Sequence, residues 1–333
     1  MHIYAKYARI CRIICKRGVY SIMKKIFIDG RAGTTGLRID ERLTGRTDIE
    51  LITLPEEARK DIEARRKALN SCDIAFLCLP DAASRESVSL VENPDVVLID
   101  TSTAHRTNPD WAYGFPELSD ALMEKIRTSH RIAVPGCHAS GFIALVYPLI
   151  EAGLIDPDLG LTCHSLTGYS GGGKSMIADY ESGERSPLLD APRQYGLTQQ
   201  HKHLKEMKAI TGIHYEPIFC PIVSDFYSGM EVTVPLFGKD LKNGADMTAV
   251  KEIFAAKYTG PFVTYKECVS ESGFVSAGAY SGLDTMEITV EGNEDRILLI
   301  ARYDNLGKGA SGAAVECLNL VMGCDLTTGL AVK

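Results

Sequence analysis

No run of about 18 uncharged apolar residues occurs in this 333-residue chain, so no helix in it is long and apolar enough to span a membrane. Positive charge is also in short supply. The 36 Lys and Arg stand against 43 Asp and Glu, a net charge of −7. Binding to a phosphate backbone depends on positive charge, so this balance argues against nucleic acid as a partner. Of the ten cysteines two lie in the first 22 residues, and the other eight show no CxxC pair and no zinc spacing. Several lie in apolar strand or helix patterns, where a free Cys behaves as a small hydrophobe. No metal site is expected, and a reducing cytoplasm is the expected location. Internal repeats and low-complexity segments are absent. The remaining composition, 45% hydrophobic and 24% charged, is that of an ordinary globular protein. The length suits two domains.

Acidic residues are missing from one place. Residues 1–22 contain Lys6, Arg9, Arg12, Lys16 and Arg17 and no Asp or Glu. Without them the remaining 311 residues hold 31 basic and 43 acidic side chains, a charge of −12. The segment lacks the unbroken apolar stretch and small-residue cleavage site of a secretory signal. It reads as a transit peptide, a membrane-surface helix, or sequence upstream of the true start. Met23 runs straight into KKIFIDG, and we expect it to be that start.

From residue 25 apolar strands alternate with helical stretches. The expected strands are KIFID (25–29), IELIT (49–53), DIAFLCLP (73–80) and PDVVLID (94–100). Residues 56–69 read as helix, with i,i+4 pairs such as Asp61 and Arg65. Alternation of this kind predicts a parallel sheet with helices on both faces. After about residue 136 the pattern changes to long alternating runs at 161–168, 217–237, 262–267, 284–293 and 296–305. These predict a mainly antiparallel sheet with one solvated or interface face. The last apolar stretch, GASGAAVECLNLVMG (309–323), is too apolar to be exposed and is expected to pack back on the first domain. The expected division is an extension over 1–22, a Rossmann-type domain from 23–136 and 306–333, and a catalytic and dimerisation domain from 137–305.

Gly30-Arg31-Ala32-Gly33-Thr34-Thr35-Gly36 follows the first strand and opens a helix. Glycines let a backbone approach a pyrophosphate, and a helix N-terminus offers unpaired N–H groups. The spacing is GxxGxxG rather than GxGxxG, so a plain βα turn is the alternative. No acid stands at the tip of the second strand, where one would hold a ribose 2′-hydroxyl. Arg31, Arg59 and Lys60 are close enough in sequence to meet a 2′-phosphate. This favours NADP over NAD. The other informative stretch is RIAVPGCHASGFIALVYPLI (131–150). Here Cys137 opens an apolar helix directly after a strand and a Pro-Gly turn. The positive end of a helix lowers a thiol pKa and raises the thiolate fraction. Cys137 is therefore a candidate nucleophile, with a buried structural cysteine as the alternative.

The chain resembles the N-acetyl-gamma-glutamyl-phosphate reductases in their shorter form, a family grouped with the aspartate-semialdehyde dehydrogenases. IFIDGRAGTTGLRI, DIAFLCLPDAAS, IDTSTAHR, YGFPEL, PGCHASGFIAL, TGYSGGGKSM, QHKHLKEM, PIVSDFYSGMEVTVPL and DNLGKGASGAAVECLNLVM carry the resemblance. It runs from about residue 24 to the end. It implies a Rossmann-type domain, a second domain with a mainly antiparallel sheet, and a homo-oligomer, dimer or tetramer. It makes Cys137 the acylated nucleophile and one histidine of His201-Lys202-His203 the acid/base, with His203 favoured and His201 orienting substrate or water. A surface pair or a metal site is the alternative for these histidines, but two without clustered ligands make a poor zinc signature. Arg106, with Ser102 beside it, matches a phosphate-binding arginine. The Gly30, Arg31, Gly33, Thr34, Thr35 and Gly36 loop would hold NADP(H). Ser170, Gly171, Gly172 and Asn305 would approach the nicotinamide side. The implied reaction reduces N-acetyl-L-glutamyl 5-phosphate, a small acyl phosphate, to N-acetyl-L-glutamate 5-semialdehyde through a Cys137 thioester, in arginine biosynthesis. An aspartate-semialdehyde dehydrogenase or related acyl-phosphate reductase is the alternative.

One motif competes. Residues 168–175, GYSGGGKS, match GxxxxGK[ST] letter for letter and follow an expected strand, as in a P-loop NTPase. Its mid-chain position and the poor magnesium candidate, Asp225, weigh against that reading. So does the better-placed dinucleotide loop upstream.

Overall fold

The structure is a computed structural model and describes residues 23–332. The basic segment 1–22, expected to precede the true start, lies outside the described residues. The chain divides into two compact units. One runs to Pro135 and resumes over Ser311–Leu330, and the other spans Gly136–Ala310 and resumes at Ala331.

The first unit is built on strands β1 (Lys24–Asp29), β2 (Ile49–Ile52), β3 (Ile74–Leu77), β4 (Val97–Asp100), β5 (Ala112–Tyr113) and β6 (Arg131–Ala133). Between them run helices α1 (Thr34–Leu43), α2 (Ile62–Ser71), α3 (Asp81–Leu90) and α4 (Asp120–Thr128). All pairings are parallel and the order is β2-β1-β3-β4-β6-β5. Side chains of a strand alternate between its two faces. Ile26 and Ile28 enter one apolar layer with Phe76 and Ile99, while Phe27 enters the other with Ala75 and Leu98. Both faces are thus covered, as the continuous apolar runs of β3 and β4 require. The C-terminal helix Gly312–Met322 closes the first layer, packing Ala313, Val315 and Leu318 with Ile39, Leu43 and Ile126.

One local expectation is corrected. Residues 56–69 are not one helix: Glu56–Ala58 form a short 3₁₀ turn, and α2 starts after Asp61. The Asp61 carboxylate accepts the Ala64 N–H at 2.7 Å, so Asp61 is a cap. Arg65 turns inward instead, where burial demands partners. Its guanidinium meets Asp29 at 3.1 Å, Glu86 at 2.6 Å and the Ser87 hydroxyl at 2.6 Å.

The second unit begins with helix α5 (Cys137–Glu151), followed by β7 (Thr162–Gly168), α6 (Gly173–Glu181), β8 (Arg193–Gln194), α7 (Lys202–Thr211), β9 (Ile218–Ser224) and β10 (Met230–Phe237). Helix α8 (Met247–Lys257) and strands β11 (Val263–Tyr265), β12 (Met286–Asn293) and β13 (Arg296–Tyr303) complete it. The seven strands lie in the order β11-β12-β13-β10-β7-β9-β8. Only β7 with β9 and β11 with β12 pair in parallel, so the sheet is mainly antiparallel. Its inner face buries Val232, Val234, Leu299 and Ala301, and α5 packs on β10 and β13. The outer face carries Ile218, Phe237 and Leu298, exposed by 62%, 55% and 39%.

Candidate active site

Cys137 is the first residue of α5, with Gly136 at the N-cap in extended conformation. The Gly136 N–H donates to Glu206 Oε1 of α7 at 2.8 Å, which ties the turn before Cys137 to a second helix. Glu206 lies three residues beyond His203 on α7, so the two share a face. Cys137 is half-buried. Cys72 and Cys78 differ from it: burial pushes both thiols up to about 12, where little thiolate forms at neutral pH. Cys163 is raised for the same reason.

Three histidines meet within the second unit. His138, next to Cys137 in sequence, has its ring 5.9 Å from that of His201 and 5.6 Å from that of His203. The His201 and His203 rings are 4.7 Å apart. Phe219 of β9 closes one side at 5.3 Å from His138. His138 is fixed at both nitrogens, Nδ1 2.6 Å from the Ser165 hydroxyl and Nε2 2.6 Å from the Tyr195 hydroxyl. Burial, and secondarily repulsion from His201, lowers its pKa from 6.5 to about 3. His138 is therefore neutral at physiological pH and does not shuttle protons there. Burial also raises the Tyr195 phenol above its ordinary range, so it stays protonated.

His201 caps α7: its Nδ1 accepts the His203 N–H at 3.3 Å. That leaves Nε2 as the protonated nitrogen of the neutral ring. His203 is buried on the first turn of α7. The sequence paired His201 and His203 but passed over His138, Tyr195, Ser165 and Glu206. The adjacency of His138 to Cys137 was the one signal available. Tyr195 and Ser165 had none.

The glycine-rich loop of the first unit lies where the chain changes direction across its sheet. From β1 it goes to β2 on one side, then to β3 on the other. In open α/β sheets ligands bind outside the strand ends at such a point. Gly30 has φ +86°, and a Cβ there would fall 2.3 Å from the Cys78 carbonyl oxygen. A Cβ on Gly36 would fall 2.5 Å from the Gly30 oxygen, so side chains are excluded from this cradle. Gly33 is the N-cap of α1, and no acid occupies the first turn. Thr34, Thr35 and Gly36 thus present first-turn amides to an anion. Arg31 reaches across to the tip of β2, donating to the Thr53 hydroxyl at 3.2 Å and to Asp40 at 2.8 Å. The loop fits a dinucleotide, and Arg31 fits a 2′-phosphate.

Arg106 and Ser102 follow β4. Arg106 is buried, with Nε donating to the Val134 carbonyl and Nη2 to the Thr101 carbonyl, both at 2.8 Å. Ser102 donates its hydroxyl to Asp100 Oδ2 at 2.8 Å and accepts the Ala104 N–H at 3.1 Å. Asp100 also lies 2.6 Å from His105 Nδ1, and His105 stacks on Trp111 at 4.1 Å. The segment carrying Arg106 is therefore held rigidly by a buried carboxylate.

Ser170 and Asn305, 135 residues apart, meet: Asn305 Nδ2 donates to the Ser170 hydroxyl at 3.0 Å, and Asn305 Oδ1 accepts the Gly229 N–H at 2.9 Å. Gly171 lies beside them, its Cβ position 3.4 Å from Asn305 Nδ2, and Gly172 ends the same turn. This geometry weighs further against the P-loop reading. A phosphate cradle needs outward-facing amides. Here Gly168, Tyr169 and Ser170 donate theirs to the carbonyls of Gly229, Phe226 and Tyr227. Asp225 does follow the strand parallel to β7, where a magnesium ligand would belong. Arg185 instead holds its two oxygens at 3.0 and 2.7 Å and lowers its pKa. Among the described residues no group of three or more His, Cys, Asp or Glu is arranged to hold a metal ion.

Two family models match the chain. The semialdehyde dehydrogenase NAD binding domain matches residues 25–126, and the semialdehyde dehydrogenase dimerisation domain matches residues 137–305. The N-acetyl-gamma-glutamyl-phosphate reductase of Sinorhizobium medicae is 45% identical over 305 residues, covering 90% of this chain and 98% of the relative. N-acetyl-gamma-glutamyl-phosphate reductase 2 of a Nostoc species is 44% identical over 318 residues, covering 92% and 99%. Among solved structures, aspartate semialdehyde dehydrogenase II of Vibrio cholerae superposes with a TM-score of 0.70 at 16% identity, covering 90% of this chain and 98% of the other. The Candida albicans aspartate semialdehyde dehydrogenase with NADP gives 0.62 at 16% identity, covering 90% and 99%. At such identities these structures share the fold.

Proposed function

We propose that this chain, which belongs to the semialdehyde dehydrogenase family and within it to the N-acetyl-gamma-glutamyl-phosphate reductases, reduces N-acetyl-L-glutamyl 5-phosphate to N-acetyl-L-glutamate 5-semialdehyde with NADPH, releasing phosphate in arginine biosynthesis. The observation that carries the reading is Cys137 at the N-terminus of α5, in the same unit as the cluster of His138, His201 and His203.

The chemistry follows from those groups. Phosphate is a good leaving group, and the helix start favours the thiolate. Cys137 attacks the acyl carbon and forms a thioester as the C–O bond to phosphate breaks. NADPH supplies the hydride. First-turn amides of α5 stabilise the oxygen that becomes negative, and a protonated His203 donates its proton to it. His203 then takes that proton back as the carbon–sulfur bond breaks, the thiolate re-forms and the aldehyde leaves, a role worth about 10² to 10⁴ in rate. The assignment of His203 follows the resemblance of the His201-Lys202-His203 motif to the family. His138 stays neutral at physiological pH because burial lowers its pKa to about 3. Arg106 is the proposed phosphate ligand, on the rigid segment beside Asp100. Gly30 to Gly36 hold the pyrophosphate, and Arg31 the 2′-phosphate. Ser170, Gly171, Gly172 and Asn305 form the loop proposed to face the nicotinamide.

The chain works as a homo-oligomer in this proposal. The exposed apolar side chains Ile218, Phe237 and Leu298 share the outer face of the seven-stranded sheet, in the region matched by the dimerisation domain. A reducing cytoplasm agrees with eight described cysteines that are all free thiols.

The test is phosphate-dependent NADP reduction by purified protein, offered N-acetylglutamate semialdehyde and aspartate semialdehyde side by side. Turnover of the first, lost in Cys137→Ser, is the expected outcome. Preference for the second would transfer the chain to the aspartate enzyme, and full activity of Cys137→Ser would end the covalent mechanism.

A further inference from the structure

A regular helix joins the Cys137 carbonyl to the Gly141 N–H. In α5 a third group bridges them. Tyr303, at the end of β13, donates its hydroxyl to the Cys137 carbonyl at 2.6 Å and accepts the Gly141 N–H at 3.0 Å. The two residues are 166 positions apart in sequence. Room for the hydroxyl exists because residue 141 has no side chain. A Cβ there would fall 2.6 Å from Tyr303 Oη and 2.6 Å from Val232 Cγ2. Tyr303 is fully buried, and that burial holds its phenol well above the ordinary range, so the donor keeps its proton.

The chain leaving Tyr303 bears on the same cysteine. Asp304 accepts the N–H groups of Leu306 and Gly307 at 2.6 and 3.2 Å, which turns the segment. The turn brings Gly309 so close that its Cβ position lies 3.1 Å from Cys137 Cβ. Segment 303–309 therefore bonds to the Cys137 carbonyl and leaves no room for a side chain at residue 309 beside the Cys137 β-carbon. For filling space at the end of β13 the ring would suffice. The hydroxyl adds directional bonds to the two backbone groups that set the first turn of α5.

We propose that Tyr303 is a positioning residue for the Cys137 nucleophile, its hydroxyl holding the first turn of α5 in the conformation that aims the sulfur. The proposal rests on the reading of Cys137 as the attacking group. An error of about 1 Å at a reacting atom costs up to about 10²-fold in rate. The sulfur must also face the helix-end amides to be acidified.

Tyr303→Phe removes the bridge and keeps the ring. The measurements are kcat and KM for the semialdehyde, and the pH dependence of Cys137 alkylation by iodoacetamide, read by peptide mass. The expected result is a kcat lower by about 10- to 100-fold with KM little changed, and an alkylation midpoint moved to higher pH. Gly141→Ala, which puts a methyl where the hydroxyl sits, should do the same and stands in if the phenylalanine chain does not fold. Wild-type kcat and alkylation midpoint in whichever variant folds would overturn the proposal. So would the failure of both to fold, since the bridge would then be a folding element. The alkylation arm needs no substrate. An error in the assigned reaction would therefore appear in the wild type, and an error in the role of Tyr303 only in the variants.

Discussion

Replacing His138 by Gln should make the protein less sensitive to acid. His138 is 3% exposed and has a hydrogen-bond partner at each ring nitrogen. Burial first, then the charge of His201, lowers its pKa from 6.5 to about 3. An unfolded chain takes up this proton as the pH falls through 6.5, and the folded chain does so only near 3. Between those values the unfolded state binds more protons, so stability falls as the pH falls. The contribution is about 1.4 kcal/mol for each unit below 6.5. Going from pH 7 to pH 5 should therefore remove about 2 kcal/mol through this one ring. Gln does not titrate, while the remaining carboxylates and histidines titrate in both proteins and cancel in the difference. Urea unfolding at pH 7, 6 and 5 and constant ionic strength, followed by circular dichroism, gives the two stabilities. The wild-type value should drop relative to His138→Gln by about 2 kcal/mol over that range. A difference that does not change with pH would show that His138 ionises inside the folded protein, and would also remove the reason for excluding it as the proton carrier.

Three further outcomes are expected. Arg65→Met should destabilise the first unit by about 3 to 5 kcal/mol in urea, because it leaves the buried Asp29 carboxylate without its charge partner; a loss under about 1 kcal/mol would show that Ser87 alone satisfies Asp29. Arg31→Ala should weaken NADPH binding by about tenfold or more and leave NADH binding unchanged, measured by fluorescence titration; equal losses for both would place Arg31 away from the 2′-phosphate. Gly30→Ala combines a backbone φ of +86° with a Cβ 2.3 Å from the Cys78 oxygen. It should abolish dinucleotide binding while Cys137 alkylates at the wild-type rate, and retained binding would sink the cradle.

Much of the architecture was legible because it is local. A β-strand buried on both faces must be apolar in its run, and β3 and Val97–Ile99 of β4 are. A strand followed by GRAGTTG and an amphipathic stretch can hardly be anything but a βα turn, and Gly30 does adopt the positive φ that such a turn needs. Cys137 was readable from Pro135-Gly136 and the apolar run after it, since helix starts are set by neighbouring residues. The small-residue tail announced its own burial, and its helix lies in the core of the first unit. Local reading failed where one charge had two possible partners. Asp61 and Arg65 sit at helical spacing, but the cap claimed the first and the buried Asp29 the second.

Short-range order along the chain was enough for the two kinds of sheet, the glycine loop, the cysteine and, through ordered motifs, the family. Each of these depends on residues within one turn or one strand of each other, where spacing dictates geometry. Tertiary structure decided which groups can act. Residues 168–175 have the letters of a phosphate loop, yet the amides of Gly168, Tyr169 and Ser170 were taken by carbonyls more than fifty positions away. Ser102 stands beside Arg106 in sequence but donates its hydroxyl to Asp100. His138 was silenced by burial and by the charge of His201, 63 residues downstream. Tyr303 reached Cys137 from the end of β13, 166 positions further along the chain. Hydrogen-bond capacity and solvent access are properties of the packed environment, and no window along the chain contains them.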